Sequence, residues 1–480
     1  MGLGLGGVGL GTRLIRVAAS ARPGNQALHD AVQSFVAAAW DLLHERGELV
    51  SEYFREFKWS RADQDVFTLV EVIRPIPKFL SSPEIGQLPE NLAVVRLLEA
   101  DPIIGARQGK MIYLGSWAQR FGVLSDQASI VLNSLLAHPG GWSQADFEQA
   151  YLAWETDLYA EWNEATTLHP LASFTSDTGR MQLTRDAELR PMTDDEIGTC
   201  LTAGVLEPSF GLNSMALVAN NTWCIAGSIR TRRLVMDPSD DPSAVGGFDE
   251  FNRVTADQAS LADYFVSALR LHKAGDVRLA GQVSSLGKGG LSWHRSPASR
   301  LGGVPYQFGD PDREPVQHLW RALRNPRVMN NGGLQAALRR FGYSCDRLLA
   351  HDKIIDLMIA AEAFFVGSGK DELRYRLAVN GSNWMAASRP RRQTFDFLGH
   401  AYDVRSSIVH GSSPAKRALV SESGERLDEN AFAVALESFM RDALRLAIER
   451  VASGEWQGDW RALMFGDFPR PVGGQAPEDS

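Results

Sequence analysis

From Pro315 to about Ala452 the chain is written almost wholly in helical periods joined by short connections, and one of those helices is apolar nearly all round. Within 346–366, Leu348, Leu349, Ile354, Leu357, Met358, Phe364 and Phe365 surround most of the helix, so this segment is expected to be central and buried by other helices. Helical patterns near 315–325, 332–341, 370–380, 391–410 and 428–452 supply that cover, and their short loops make neighbours antiparallel. The C-terminal third is therefore expected to be an antiparallel helical bundle.

The rest of the chain is less uniform. Apolar residues from Leu28 to Leu43 step by three and four, which predicts one long amphipathic helix from Asn25 to about Phe57. Further helices are expected near 91–99, 126–136 and 144–162, the last carrying Phe147, Tyr151, Trp154, Tyr159 and Trp162 as core residues. After His169-Pro170 short segments such as Leu171–Phe174, Met181–Leu189 and Trp223–Val235, bounded by Gly, Pro and Asn, indicate a small α+β module. Inside it Thr193-Asp194-Asp195-Glu196 fits a capping box, so a helix starts at about Asp194. The expected organisation is a flexible Gly-rich tail over 1–24, a helical region over 25–165, the α+β module over 166–293, a linker over 294–314, the bundle over 315–468 and a disordered tail over 469–480. The fold class is thus multidomain and mainly α.

Several function classes fall away. Cys200, Cys224 and Cys345 contain no C-x-x-C pair, which excludes a disulfide framework or a thiolate cage and suits a reducing compartment such as the cytoplasm. The longest apolar run, Leu357 to Val366, is short and broken by Glu362, so no membrane span is expected. Gly4, Gly6 and Gly9 form a G-x-G-x-x-G with no strand before it, so a flexible tail fits better than a dinucleotide site. Gly369-Lys370 and Gly287-Lys288 lack the hydroxyl that follows the lysine in a phosphate-binding loop. The acidic stretch 236–250 lacks the order of a calcium loop and reads as solvated. No metal or cofactor is expected. The formal charge of −9 is uneven: residues 315–480 sum to about +2 and the remainder to about −11, so contact with a polyanion belongs in the C-terminal third.

Two features of the bundle carry chemistry. Glu362 is a carboxylate in an apolar helix and needs a partner, a proton or a polar cleft; pairing with Arg374 or Arg376 is the expected solution. Residues 400–414, HAYDVRSSIVHGSSP, follow a core stripe of Phe397, Ala401, Val404 and Ile408 and place Arg405 and His410 five apart before a stop at Gly411. Five residues turn a helix by about 140°, so the pair converges only if His410 lies at the last turn and Arg405 reaches around it. A histidine beside a permanent cation can exchange a proton while the guanidinium holds a phosphate. Spacing alone leaves a second reading open, a solvated arginine and a histidine capping its own helix. Arg389, Arg391 and Arg392 open the same helix and suit either phosphate contact or a solvated helix start.

The run DKIIDLMIAAEAFFVGSGKDELRYRLAV (352–379), followed by YDVRSSIVHGS (402–412), resembles the HEPN superfamily (higher eukaryotes and prokaryotes nucleotide-binding), specifically its Apea-like branch, over roughly Pro315 to Ala452. The layout of 190–196 and its surroundings is similar to what Apea-like proteins carry upstream. The resemblance implies a HEPN-like bundle forming a homodimer in which two R-x(4)-H helix ends share a cleft, and metal-independent RNA cleavage in phage-defence or toxin-like systems. Carried onto this chain, Arg405 holds the scissile phosphate and His410 is the general acid or base, leaving 2′,3′-cyclic phosphate and 5′-OH ends; RNA, including transfer RNA, is the implied partner. Ser406 stands where active members often have Asn, Asp or His, and a serine cannot act as a second base at neutral pH. A module that binds nucleotide or RNA without cutting it, or a helical interaction scaffold, are the alternatives. Gly411 keeps the family pattern and permits a left-handed turn.

Overall fold

The computed structural model describes residues 24–46, 52–63, 66–76, 83–113, 118–136, 141–206, 217–218, 223–240, 247–286, 290–296, 304–366 and 372–465. The two tails expected at 1–24 and 469–480 fall almost entirely outside them, as do both lysine–glycine sites. The chain is mainly helical and forms two compact units, one of Met1–Pro170, Thr184–Ala259 and Gly281–Arg295, the other of Leu171–Leu183, Ser260–Ala280 and Ser296–Ser480. Among the described residues no helix is long and apolar enough to cross a membrane.

In the first unit the helix Gln26–Glu45 is capped by the Asn25 side chain, which accepts from Leu28 N–H. Its buried stripe of Leu28, Val32, Phe35, Val36, Ala39 and Leu43 joins one core with Phe147, Tyr151 and Trp154 of the helix Gln144–Leu158. The sequence expectation fails beyond Glu45: the chain does not continue as helix to Phe57 but forms an antiparallel hairpin of Glu52–Asp63 and Val66–Ile76. The region 25–165 therefore contains strands as well as helices. The helix Asp194–Thr202 packs on this hairpin so closely that a Cβ at Gly198 would come within 2.9 Å of the Trp59 carbonyl oxygen, and Arg61 Nε donates to Asp194 at 2.8 Å. The Thr193 capping box forms as its residues predict. Glu196 additionally takes both Arg190 terminal nitrogens at 2.7 Å, which locks the strand Ala187–Pro191 to the start of the helix.

Strands Gly290–Arg295, Gly281–Leu286, Trp162–Ala172, Trp223–Arg232 and Ala187–Pro191 lie side by side in that order, all antiparallel. The strand Trp162–Ala172 begins where the sequence suggested the end of an aromatic helix; its first six residues alternate exposed and buried, the period of a strand with one wet face.

In the second unit Tyr306–Phe308 pairs in parallel with Phe174–Ser176, and the Phe174 and Tyr306 rings stack at 6.0 Å. This strand and the helix Asp310–Leu323 occupy the segment expected as a linker. Pro315 suggested a helix start, but the start is five residues earlier: Gly309 N–H donates to Asp312, and Pro315 sits inside the helix. The bundle continues through Pro326–Met329, Gly332–Cys345, Ala350–Phe365, Leu373–Trp384, Arg391–Val409, Glu429–Ser453 and Trp460–Phe465. The apolar helix is central as expected, but Leu348 and Leu349 precede it and are 65% exposed. Buried Asp356 on its inner side is held by Arg340 at 3.1 Å and Arg347 at 2.6 Å. Trp384, Trp456 and Trp460 close one end of the core with Phe364 in edge-on contacts.

Candidate functional site

The helix Arg391–Val409 carries the candidate residues. Pro390 stands at its N-cap, and Thr394, Phe397, Leu398, Ala401 and Val404 are buried, which is the stripe its sequence spacing requires. His410 is the C-cap and Gly411 follows at φ +72°. Gly411 N–H donates to the Ile408 carbonyl at 3.0 Å and Ser412 N–H to the Ser407 carbonyl at 2.9 Å, the bond pair of a Schellman ending. A side chain in that left-handed conformation would cost about 1–2 kcal/mol, which glycine avoids. The position of His410 is thus set by the backbone of its own helix, with its N–H on the Ser406 carbonyl at 3.1 Å and its side chain exposed. The Ser406 side chain is half-buried.

Arg405 points elsewhere. It is half-buried, and its Nε is enclosed without a hydrogen-bond partner. Within one chain no hydrogen bond joins the Arg405 and His410 side chains, in keeping with the roughly 140° that five helical residues put between them. What Arg405 does meet is the field of Glu362 on the central helix. Burial pushes the Glu362 carboxyl above the usual carboxylate range, with the Arg405 charge acting in the opposite direction, and Glu362 Oε1 is also enclosed and unpartnered. The pairing expected for Glu362 does not form: Arg374 grips Asp403 through two bonds of 2.9 and 3.0 Å, and Arg376 donates to the Val366 carbonyl at 3.1 Å. Among the described residues Arg405 is in no closed ion pair, so its charge and donors remain to attract an anionic oxygen.

The three arginines at the opposite end of the helix separate. Arg389 bridges Glu422 and Asp442 and lies over the Phe439 ring at 5.3 Å, so its guanidinium is engaged by carboxylates of its own bundle. Arg391 and Arg392 are exposed. Sequence reasoning named Arg374 only as a partner for Glu362 and overlooked its place over Gly399, as well as the ring pair of Tyr375 and Phe395 at 6.1 Å. The signal available was spacing: Phe395, Gly399, Asp403, Ser406 and His410 recur at three and four and share one face.

Other polar sites offer less. An open cavity of about 620 Å³ in the first unit is lined by Asp101, Glu155 and Tyr159 among others, but Glu155 already accepts from Gly24 N–H, Asn25 N–H and the Tyr151 hydroxyl, and Tyr159 donates to Asp101. Among the described residues no group of three or more His, Cys, Asp or Glu side chains is placed to hold a metal ion. Comparison of the chain with protein-family models, curated proteins and solved structures returns no match.

Proposed function

We propose that the C-terminal bundle is a metal-independent endoribonuclease of HEPN type that acts in the cytoplasm in phage defence or a toxin-like system. The observation that carries this reading is Arg405, whose Nε has no hydrogen-bond partner and whose charge is not closed into an ion pair with Glu362. Such a guanidinium binds the scissile phosphate and stabilises the charge that develops on it. His410, fixed at a helix end and open to solvent, takes the proton of the ribose 2′-OH as its oxygen attacks phosphorus, and an imidazolium in the same place returns a proton to the departing 5′-oxygen. Arg405 and His410 are not bonded to each other within one chain, and the reading takes the site to be shared in a homodimer, the guanidinium of one protomer serving the imidazole of its partner. The second reading, a bundle that binds nucleotide or RNA without cutting it, draws on Ser406, which offers no second base beside Arg405.

Purified full-length protein is incubated with total RNA and transfer RNA in excess EDTA, beside His410→Ala and Arg405→Ala. Cleavage by the wild type alone, leaving 2′,3′-cyclic phosphate and 5′-OH ends, is the expected result. Cleavage that survives His410→Ala overturns the mechanism. RNA binding lost in Arg405→Ala but retained in His410→Ala, with no cleavage by any of the three proteins, replaces it with the binding reading.

A further inference from the structure

We propose that one face of the helix Arg391–Val409 is a track for single-stranded RNA leading away from His410, with Tyr375 as its base-stacking platform and Arg391 and Arg392 as its phosphate contacts. The proposal rests on the ribonuclease reading above and names the path of its substrate. On a helix of 3.6 residues per turn, Arg392, Phe395, Gly399, Asp403, Ser406 and His410 fall within about 80° of one another, a stripe roughly 27 Å long at 1.5 Å per residue. The stripe lies opposite the core-facing residues Thr394, Phe397, Ala401 and Val404, and Gly399 at its middle is itself buried, under the Arg374 side chain.

Several positions on or beside the stripe offer groups suited to a single strand. At the far end Arg392 is exposed, and Arg391 beside it is four residues before Phe395. Next comes an aromatic pair: Tyr375, 59% exposed, meets Phe395 edge-on at an interplanar angle of 76°. That contact braces the tyrosine while most of it stays in solvent, and an exposed aromatic ring is a group on which an unpaired base stacks. In the middle the Arg374 guanidinium lies against Gly399, where a Cβ would come within 3.2 Å of its Nη2, and bonds to Asp403. Arg374 thereby neutralises a carboxylate on the stripe. Asp396 is the other carboxylate there, exposed and four residues beyond Arg392. Cations thus exceed carboxylates along the face before His410 is counted. A peptide would be recognised by an apolar groove or a free sheet edge; a helix face covered by guanidinium groups and one tyrosine fits a stacked, charged strand.

The test uses full-length protein carrying His410→Ala, so that substrate is not consumed, with fluorescein-labelled oligouridylate and a duplex RNA of equal length as probes in an anisotropy titration. Loss of one stacked base predicts an affinity about 5- to 150-fold weaker in Tyr375→Leu, with Tyr375→Phe retaining the parent value. The Arg391→Ala/Arg392→Ala protein is expected to flatten the slope of log affinity against log salt by about 1.4, two phosphates at roughly 0.7 each. Unchanged oligouridylate binding in Tyr375→Leu, tighter binding of the duplex than of the single strand, or no binding by the parent overturns the track. Cleavage by wild type with no effect of Tyr375→Leu sinks the track and leaves the nuclease reading standing. Binding that depends on Tyr375, with no cleavage by wild type, does the reverse.

Discussion

Replacing Gly381 by alanine and, separately, Gly399 by alanine perturbs one helix pair, Leu373–Trp384 against Arg391–Val409, in two different places. In both cases the substitution gains helix propensity, about 0.8–1 kcal/mol for Gly to Ala in a helix interior. At Gly381 the new methyl falls deep inside the van der Waals contact distance of Leu398 Cδ1, and Leu398 is itself wholly buried. Overpacking of that kind costs roughly 1–3 kcal/mol, so the net effect is a loss of about 1 kcal/mol. At Gly399 the nearest atoms are the tip of Arg374, 3.2 Å away, which can swing into solvent. Its ion pair with Asp403 joins side chains 50% and 48% exposed, and an exposed pair contributes about 0.2–1 kcal/mol, so the net effect lies between zero and a gain of about 0.8 kcal/mol. Urea unfolding followed by tryptophan fluorescence and far-UV circular dichroism should therefore rank Gly399→Ala above wild type or level with it, and Gly381→Ala below. If Gly381→Ala matched or exceeded Gly399→Ala, the helices could not approach as closely as the structure places them.

Two further outcomes follow from buried charge. Because burial raises the folded-state affinity of Glu362 for its proton, the ionised carboxylate destabilises the fold; Glu362→Gln should be more stable than wild type at pH 7, with the difference growing as pH rises through the window above the ordinary glutamate value and vanishing below it. An advantage that instead grew on acidification, in paired denaturant curves, would show the sign to be wrong. Asp356 has two arginines, so Arg340→Ala or Arg347→Ala alone should cost under about 1 kcal/mol while the double substitution, which leaves a buried carboxylate unpaired, costs about 3–5 kcal/mol; additive losses would refute the shared role.

Local signals were legible wherever one period or one cap decided the outcome. The core stripe of Phe397, Ala401 and Val404, the Thr193 box and the left-handed Gly411 all depend on residues within a few positions of each other. The hairpin was not legible, because in EYFREFKWSRAD the aromatics also fall at helical steps and the deciding bonds, such as Trp59 with Leu69, are made with a partner strand. Nor does apolar identity dictate burial: Leu348 and Leu349 extend the apolar run on paper yet stand outside the helix they precede. Charge partners were the hardest. Arg389 finds Glu422 and Asp442, 33 and 53 residues away, and Arg374 prefers Asp403 to Glu362, choices that only the packed bundle makes. The candidate site was accordingly readable as residue types and not as contacts.

The segment after His410 runs back beside its own helix, since Ser412 is bonded to Ser407 and Glu422 to Thr394. Those anchor points are thirteen helical residues apart, roughly 20 Å, while the ten residues joining them could span about 34 Å if fully extended. The surplus of about 14 Å, worth roughly four extended residues, is taken up by the turn in which Ala418 N–H donates to the Ala415 carbonyl. Chain length is therefore a constraint in its own right at this place: the segment can lengthen freely or change composition, but a deletion beyond that surplus would draw Ser412 off Ser407 and with it undo the backbone ending that aims His410.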